Sequence, residues 1–215
     1  EVVTTKHGPI ISDLIFEERP ASEVYSMQWT ALEATKELQA ILAFNKAKSW
    51  DEFETALEDF NAPAQNFVFA STDGTIAYKA NGNIPVRLKG DGTLPVPGDS
   101  SEYGWSGYIP YDDLPTVVNP EEGFITTANN KIVSDDYPYH ITDMWAQPYR
   151  YERIVELLEG KDDLTVEDMQ AIQMDTVNLY AKEFLPQFNE SIEKLDEEEQ
   201  YADILPALKK WDYNE

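Results

Sequence analysis

The 215-residue chain has no cysteine, only two histidines, and 16 basic residues against 41 acidic ones. Each shortage excludes a class of function. Without Cys there is no disulfide framework, iron–sulfur cluster, thiolate zinc site or cysteine nucleophile. A net charge of −25 works against nucleic-acid binding, which needs clustered Lys and Arg to replace counterions. The same charge opposes docking on anionic membranes. No run approaches the roughly 20 apolar residues needed to cross a bilayer, so no membrane insertion is expected. No signal peptide is visible. The start, Glu1-Val2-Val3-Thr4-Thr5, reads as if cut from the middle of something longer. Neither His7 nor His140 lies in a G-x-S-x-G or H-E-x-x-H context, and the glycine-rich phosphate-binding motifs are absent.

What is present is a foldable composition. Hydrophobic residues make up 42% of the chain, with 12 Tyr, 9 Phe and 5 Trp, which is too apolar for a disordered polymer even at this charge. The length suits one large domain or two small ones.

Local patterns give a coarse order of elements. Val2 to Ile11 is β-branched and reads as extended, with a turn at His7-Gly8-Pro9. Val24 to Ala31 alternates Tyr25, Met27 and Trp29 against polar residues and predicts a strand. Leu38, Ile41 and Leu42 share one face of a helix over about 35–46. Ser49 and Glu52 form a capping-box pattern for the next helix, which carries Phe53, Ala56, Leu57 and Phe60 at helical spacing. Residues 66–84 read as a hairpin turning at Asp73-Gly74.

Between 85 and 120 the chain holds six of its thirteen prolines and five of its ten glycines. This predicts a long loop anchored by Tyr103, Trp105, Tyr108 and Tyr111, and loops of that length are usually functional. A strand is expected at Gly123 to Ala128, and a helix at Tyr149 to Leu158. Thr165 and Asp168 cap a further helix. A third helix bearing Val177, Ala181, Phe184, Leu185 and Phe188 is expected to kink or end at Pro186. The acidic stretch Glu190 to Gln200 reads as a solvated helix. Strands and helices are mixed, with helices gathered late, so the fold class is α+β.

Three local features bear on chemistry. Asp135, Asp136 and Asp143 have the oxygen ligands Ca²⁺ takes, although solvated charge is the default in so acidic a chain. Asn129 and Asn130 end an apolar segment, where Asn is a poor strand former. The default reading is a turn; the functional one is an amide NH₂ aimed at a developing oxyanion. Arg150 opens a helix, and an ion pair with a neighbouring carboxylate is its default role.

The wider pattern changes these defaults. In order along the chain run Lys6-His7-Gly8-Pro9-Ile10, Gln28-Trp29-Thr30-Ala31, and Phe44-Asn45-Lys46-Ala47-Lys48-Ser49-Trp50. Gln65-Asn66-Phe67-Val68-Phe69-Ala70-Ser71-Thr72-Asp73-Gly74-Thr75-Ile76 and Gly82-Asn83-Ile84-Pro85-Val86-Arg87 follow. Then come Leu94-Pro95-Val96-Pro97-Gly98, Trp105-Ser106-Gly107-Tyr108-Ile109-Pro110, Asn119-Pro120, Gly123-Phe124-Ile125, Ala128-Asn129-Asn130, and Arg150 with Arg153-Ile154. Each is short; their shared order is specific. The chain resembles the penicillin acylase (penicillin amidase) family of N-terminal-nucleophile hydrolases.

The resemblance implies part of an αββα sandwich, with residues 1–215 a middle fragment of the large β subunit and the nucleophile-bearing segment elsewhere. It implies hydrolysis of N-acyl amides (β-lactam side chains, acyl-homoserine lactones or related compounds) through an acyl-enzyme. An N-terminal Ser attacks, and its own α-amino group, titrating near pH ~8, acts as base. Asn129 takes the position of the family's oxyanion-hole asparagine, and Arg150 that of the arginine orienting the site. The implied partners are the remaining α and β segments of the same precursor and a small-molecule N-acyl amide. A structural Ca²⁺ shared between subunits would have only part of its ligands here, around Asp91-Gly92 and Asp135 to Asp143. The resemblance also suggests a periplasmic or secreted location. Residue 1 is Glu rather than Ser, Thr or Cys, so the isolated chain is expected to be inactive. The competing reading is a non-catalytic ligand-binding or structural domain that uses the aromatic loop 103–111.

Overall fold

The computed structural model describes residues 1–16, 23–195 and 200–214. It divides into two compact units. The first comprises Glu1–Ile125 and Ile132–Met144, the second Thr126–Lys131 and Trp145–Glu215.

The first unit opens with a minimal hairpin, β1 (Thr4–Thr5) against β2 (Gly8–Pro9). Its turn falls at Lys6-His7, one residue earlier than expected. Gly8 is needed here: its φ is +116°, and a Cβ would lie 2.1 Å from the Met27 carbonyl oxygen. The strand expected over 24–31 is reduced to a single bridge, Ile10 to Ser26, and the segment ends in a 3-10 turn at Thr30–Leu32. Alternation alone specified a half-buried surface, but among the described residues no partner strand runs alongside beyond that bridge. A short helix α1 (Ser12–Ile15) follows the hairpin.

Helices α2 (Glu37–Phe44) and α3 (Trp50–Leu57) come next. On α2 the expected core face is not the core: Leu38 is 71% exposed and Leu42 54%, whereas Ala40 is buried. Phe44 makes the contacts instead, meeting Phe53, Phe60 and Phe67. Periodicity identified an apolar stripe without saying which side the sheet would occupy. On α3 the cap is half as expected. Ser49 Oγ accepts from the Glu52 amide at 3.2 Å, but the Glu52 carboxylate accepts from the amide of Lys48, one residue beyond the box pattern, at 2.8 Å.

The hairpin β3 (Gln65–Ala70) and β4 (Ile76–Asn81) turns at Asp73-Gly74 as expected, with Ala70 paired to Ile76. A third strand, β7 (Thr116–Val118), pairs antiparallel with β4. The region from 85 to 120 is therefore not one loop. It also contains β5 (Pro85–Arg87) paired with β6 (Trp105–Tyr108). Phe67 and Phe69, two residues apart on β3, face the helices and pack on Phe53, Phe60 and Trp50 at centroid distances of 5.0–6.3 Å. Lys79 lies opposite Phe67 and is only 2% exposed. Its ammonium is satisfied by Glu54 at 3.1 Å, Thr116 Oγ1 at 3.0 Å and the face of Tyr111 at 4.1 Å, as a buried charge requires.

The second unit is helical. The expected strand at 123–128 does not form; its backbone has no ladder partner among the described residues. Helix α4 spans Tyr149–Leu158 as predicted. Helix α5 (Val166–Gln173) begins with a complete Thr165–Asp168 capping box. Helix α6 (Leu179–Leu195) runs through Pro186 rather than ending there, so the missing amide is tolerated in mid-helix. Val177 precedes the helix and bridges to Asn214. The expected acidic helix thus continues α6 as far as Leu195, and residues 196–199 lie outside the described ones. A short α7 (Leu205–Leu208) follows. The α+β class holds, with small antiparallel sheets. No helix among the described residues is long and apolar enough to cross a membrane.

Candidate active site

The structure brings Asn129 and Arg150 together within the second unit. Asn129 adopts φ +61°, a left-handed conformation that Asn tolerates better than most residues. Its carbonyl oxygen accepts from the Ala146 amide at 2.8 Å, which ties the segment to the residues leading into α4. Arg150, in the first turn of α4, sends Nη2 to the Ala128 carbonyl at 2.7 Å and to Asn129 Oδ1 at 3.0 Å.

This contact orients the amide. A guanidinium can only donate, so the Asn129 atom facing it is the oxygen. Nδ2 then points away from Arg150, and among the described residues it has no acceptor. Asn129 is exposed, so the NH₂ is accessible. The neighbouring Asn130 differs. Its Oδ1 accepts from the Ala128 amide at 3.0 Å and its Nδ2 donates to the Lys131 carbonyl at 3.1 Å, so both ends are consumed by the local backbone. Asn130 is thus consumed by the local turn, whereas the Asn129 NH₂ has no acceptor among the described residues.

Beside this pair lies an open cleft of about 630 Å³, lined by Ala128, Arg150, Arg153, Ile154, Asp175 and Tyr180 among others. Asn129 itself is not on its wall. Arg153 forms a fork with Asp175, Nε to Oδ1 at 2.8 Å and Nη2 to Oδ2 at 2.7 Å. Hydrogen bonding from Arg153 holds the Asp175 carboxyl below its ordinary value. Tyr149 precedes Arg150 and packs edge-on against Tyr180. The nearby Glu183 carboxylate, with burial, pushes the Tyr149 hydroxyl pKa up to about 12. Sequence reasoning missed Arg153–Asp175, whose partners are 22 residues apart and share no local motif.

The acidic residues considered for calcium are dispersed. Asp91 Oδ1 accepts from the amide and hydroxyl of Thr93 at 2.8 and 2.7 Å. Asp143 lies 3.8 Å from His140. Among the described residues no group of three Asp, Glu or His side chains is placed to hold a metal ion. The aromatic residues of 103–111 are engaged within the first unit. Trp105 meets Tyr108 edge-on at 6.1 Å, Tyr108 donates to Glu33 at 2.9 Å, and Tyr111 donates to the Glu54 carbonyl.

Comparison with known proteins supplies the family. The chain is 33% identical over 178 residues to a penicillin acylase 2 proenzyme from a Pseudomonas species, a match covering 83% of this chain and 23% of the relative. It is 31% identical to penicillin G acylase of Escherichia coli, covering 82% of this chain and 22% of that protein. With the acyl-homoserine lactone acylase QuiP of Pseudomonas fluorescens it shares 30% identity, over 87% of this chain and 23% of the relative. The chain thus spans about a quarter of the length of these relatives. A solved structure of the thermostable penicillin G acylase from Alcaligenes faecalis superposes with a TM-score of 0.70 at 25% identity, covering all of this chain and 38% of that one. The penicillin amidase family model matches residues 1–215, and the chain belongs to that family.

Proposed function

We propose that the protein containing this chain hydrolyses the amide bond of N-acyl substrates through an acyl-enzyme. This chain contributes the oxyanion donor Asn129 and the orienting residue Arg150 to one α/β portion of an αββα sandwich. The nucleophile, an N-terminal Ser with its own α-amino group as base, lies in another segment of the same protein. Attack on the carbonyl carbon moves negative charge onto the carbonyl oxygen, and the Asn129 NH₂ donates to it there. Such a donor is useful only if it is already aimed, because reorientation during the reaction would cost what the hydrogen bond contributes. The observation that supports this reading is the Arg150–Asn129 hydrogen bond, which fixes the amide with its donor end free.

In this reading the partners are the remaining α and β segments, the substrate is a β-lactam with an acyl side chain, an acyl-homoserine lactone or a related amide, and the protein is exported. A structural calcium ion would take its remaining ligands from those other segments. In this reading the nucleophile comes from that other segment, so turnover requires the full-length processed protein. The test is Asn129→Ala in the full-length processed protein, assayed on nitroanilides of phenylacetic and octanoic acid. Loss of one oxyanion donor lowers kcat by about 10²- to 10³-fold. Asn129→Gly controls for backbone strain, since Gly accepts the left-handed conformation that Ala resists. Unchanged turnover in both variants refutes the oxyanion role.

A further inference from the structure

Arg150 and Arg153 sit one turn apart on α4 and line the same cleft. They do different things. Arg150 reaches the 128–129 backbone and the Asn129 amide. Arg153 is held by Asp175, which sits just after α5. That carboxylate is in turn fixed on a tethered turn. Its Oδ1 accepts from the Val177 amide at 3.3 Å. Val177 bridges to Asn214, and the Asn178 amide donates to the Tyr213 carbonyl at 2.8 Å. The Arg153 Nη1 completes the set by donating to Glu156 at 2.9 Å. A bidentate fork is the most orientation-specific polar contact a side-chain pair can make. Both members are largely shielded, with 24% and 17% of their side chains exposed, so the contact is less screened than a surface pair.

We propose that Arg153 and Asp175 are a positioning pair: by fixing the rotation and height of α4 against the 175–178 turn, they set where Arg150 meets Asn129. Apolar packing alone leaves a helix some freedom to slide and roll, whereas the fork has one geometry. Arg150 shares a single nitrogen between two acceptors, at 2.7 and 3.0 Å. A small shift of α4 breaks one of these contacts before the other, and the Asn129 bond is the longer. The inference rests on the acylase reading above, and it deepens that reading by adding residues that act on the site through another side chain.

The experiment is a double-mutant cycle in the full-length processed protein, with steady-state kinetics on the same nitroanilides. Asp175→Asn keeps the shape and removes the charged fork. It is expected to lower kcat about tenfold, as a slight misplacement of catalytic groups does, while KM stays within about twofold. In an Arg150→Ala background the same change is expected to cost less than about twofold, because the residue it acts through is gone. Arg153→Lys, which keeps the charge but not the planar fork, is expected to follow Asp175→Asn, and Asp175→Glu to recover most of the activity. If Asp175→Asn does not fold, Arg153→Lys carries the cycle. Equal losses with and without Arg150, or no loss in kcat, overturn the positioning role. If Asn129→Ala and Arg150→Ala themselves leave turnover unchanged, the acylase reading of these residues has failed instead, and the two failures are distinguishable.

Discussion

The two units are held together by different chemistry. In the first, rings dominate: Phe44, Trp50, Phe53, Phe60, Phe67 and Phe69 form a continuous set of stacked, tilted and edge-on contacts between two helices and a sheet. In the second, Leu158, Ile192, Leu205 and Ala128 are the buried apolar residues among those described. Its geometry depends more on directed polar contacts: the Arg150 bridge, the Arg153–Asp175 fork and the α5 cap. Apolar packing is tolerant of pH and non-directional, which suits a scaffold. Polar contacts impose orientation, which suits the aiming of an amide that the proposed function assigns to Asn129.

This contrast can be broken from the apolar side first. Phe60 is 9% exposed and its ring lies 5.0 Å from Phe67 and 6.5 Å from Phe44. Phe60→Ala is expected to cost about 3–4 kcal/mol of stability, the usual range for emptying a buried ring site. Urea unfolding checks it, and the loss should be the same at pH 4 and pH 7. A loss under about 1 kcal/mol would mean that the ring cluster is not the scaffold.

The first unit also contains one polar exception, and it sharpens the rule. Lys79 is buried, and Glu54 is its only ionic partner among the described residues. Glu54→Gln removes the charge but leaves the ammonium in place, and is expected to cost about 2 kcal/mol. Lys79→Met combined with Glu54→Leu removes both charges and should cost less than Glu54→Gln alone. If the double variant is the worse of the two, the pair is a net source of stability rather than a compensated cost.

In the second unit the fork should respond to pH. The Asp175 acid is held below its ordinary value, chiefly by hydrogen bonding from Arg153. A carboxyl with a lowered folded-state pKa contributes stability that is complete above its unfolded value, near ~4, and fades as pH falls through the lower folded value. Asp175→Asn is therefore expected to destabilise the protein by about 1–2 kcal/mol at neutral pH, with the difference from the parent shrinking as pH falls below ~4. Denaturant midpoints measured across that range test it. A pH-independent difference would mean that the side chain acts by shape alone.

How much of this was legible in the sequence depended on how far apart the partners lie. Helix α4 and the Thr165–Asp168 cap were read to the residue, because their signals sit within one or two turns. The 65–81 hairpin was read because Asp73-Gly74 lies between its arms. The strands at 85–87, 105–108 and 116–118 were read as a loop. Their partners are some twenty to forty residues distant, and the local proline and glycine content masks them. Conversely, the alternation over 24–31 and the apolar run over 123–128 promised strands that found no partner ladder among the described residues. At the site, Asn129 and Arg150 were picked out by the family pattern. The separation of roles between Asn129 and Asn130 came only from seeing which amide atoms the backbone uses. No spacing rule points to Asp175.

The smallest expected effect concerns a local polar contact of the second unit, the cap of α5. Thr165 Oγ1 accepts from the Asp168 amide at 3.1 Å, and the Asp168 carboxylate accepts from the Thr165 amide at 2.9 Å and from its hydroxyl at 2.6 Å. These bonds satisfy amides that the first turn of α5 cannot pair internally. All of them are exposed, and Asp175 lies beyond the other end of the helix. Thr165→Ala is therefore expected to cost about 1 kcal/mol and to act as local fraying. Amide exchange should quicken at Glu167 and Asp168, while the amides of α4 keep their protection and kcat stays within error. If exchange instead quickens through α4, then α5 supports the fork along its whole length, and the polar contacts of this unit form one cooperative network rather than a series of separate clamps.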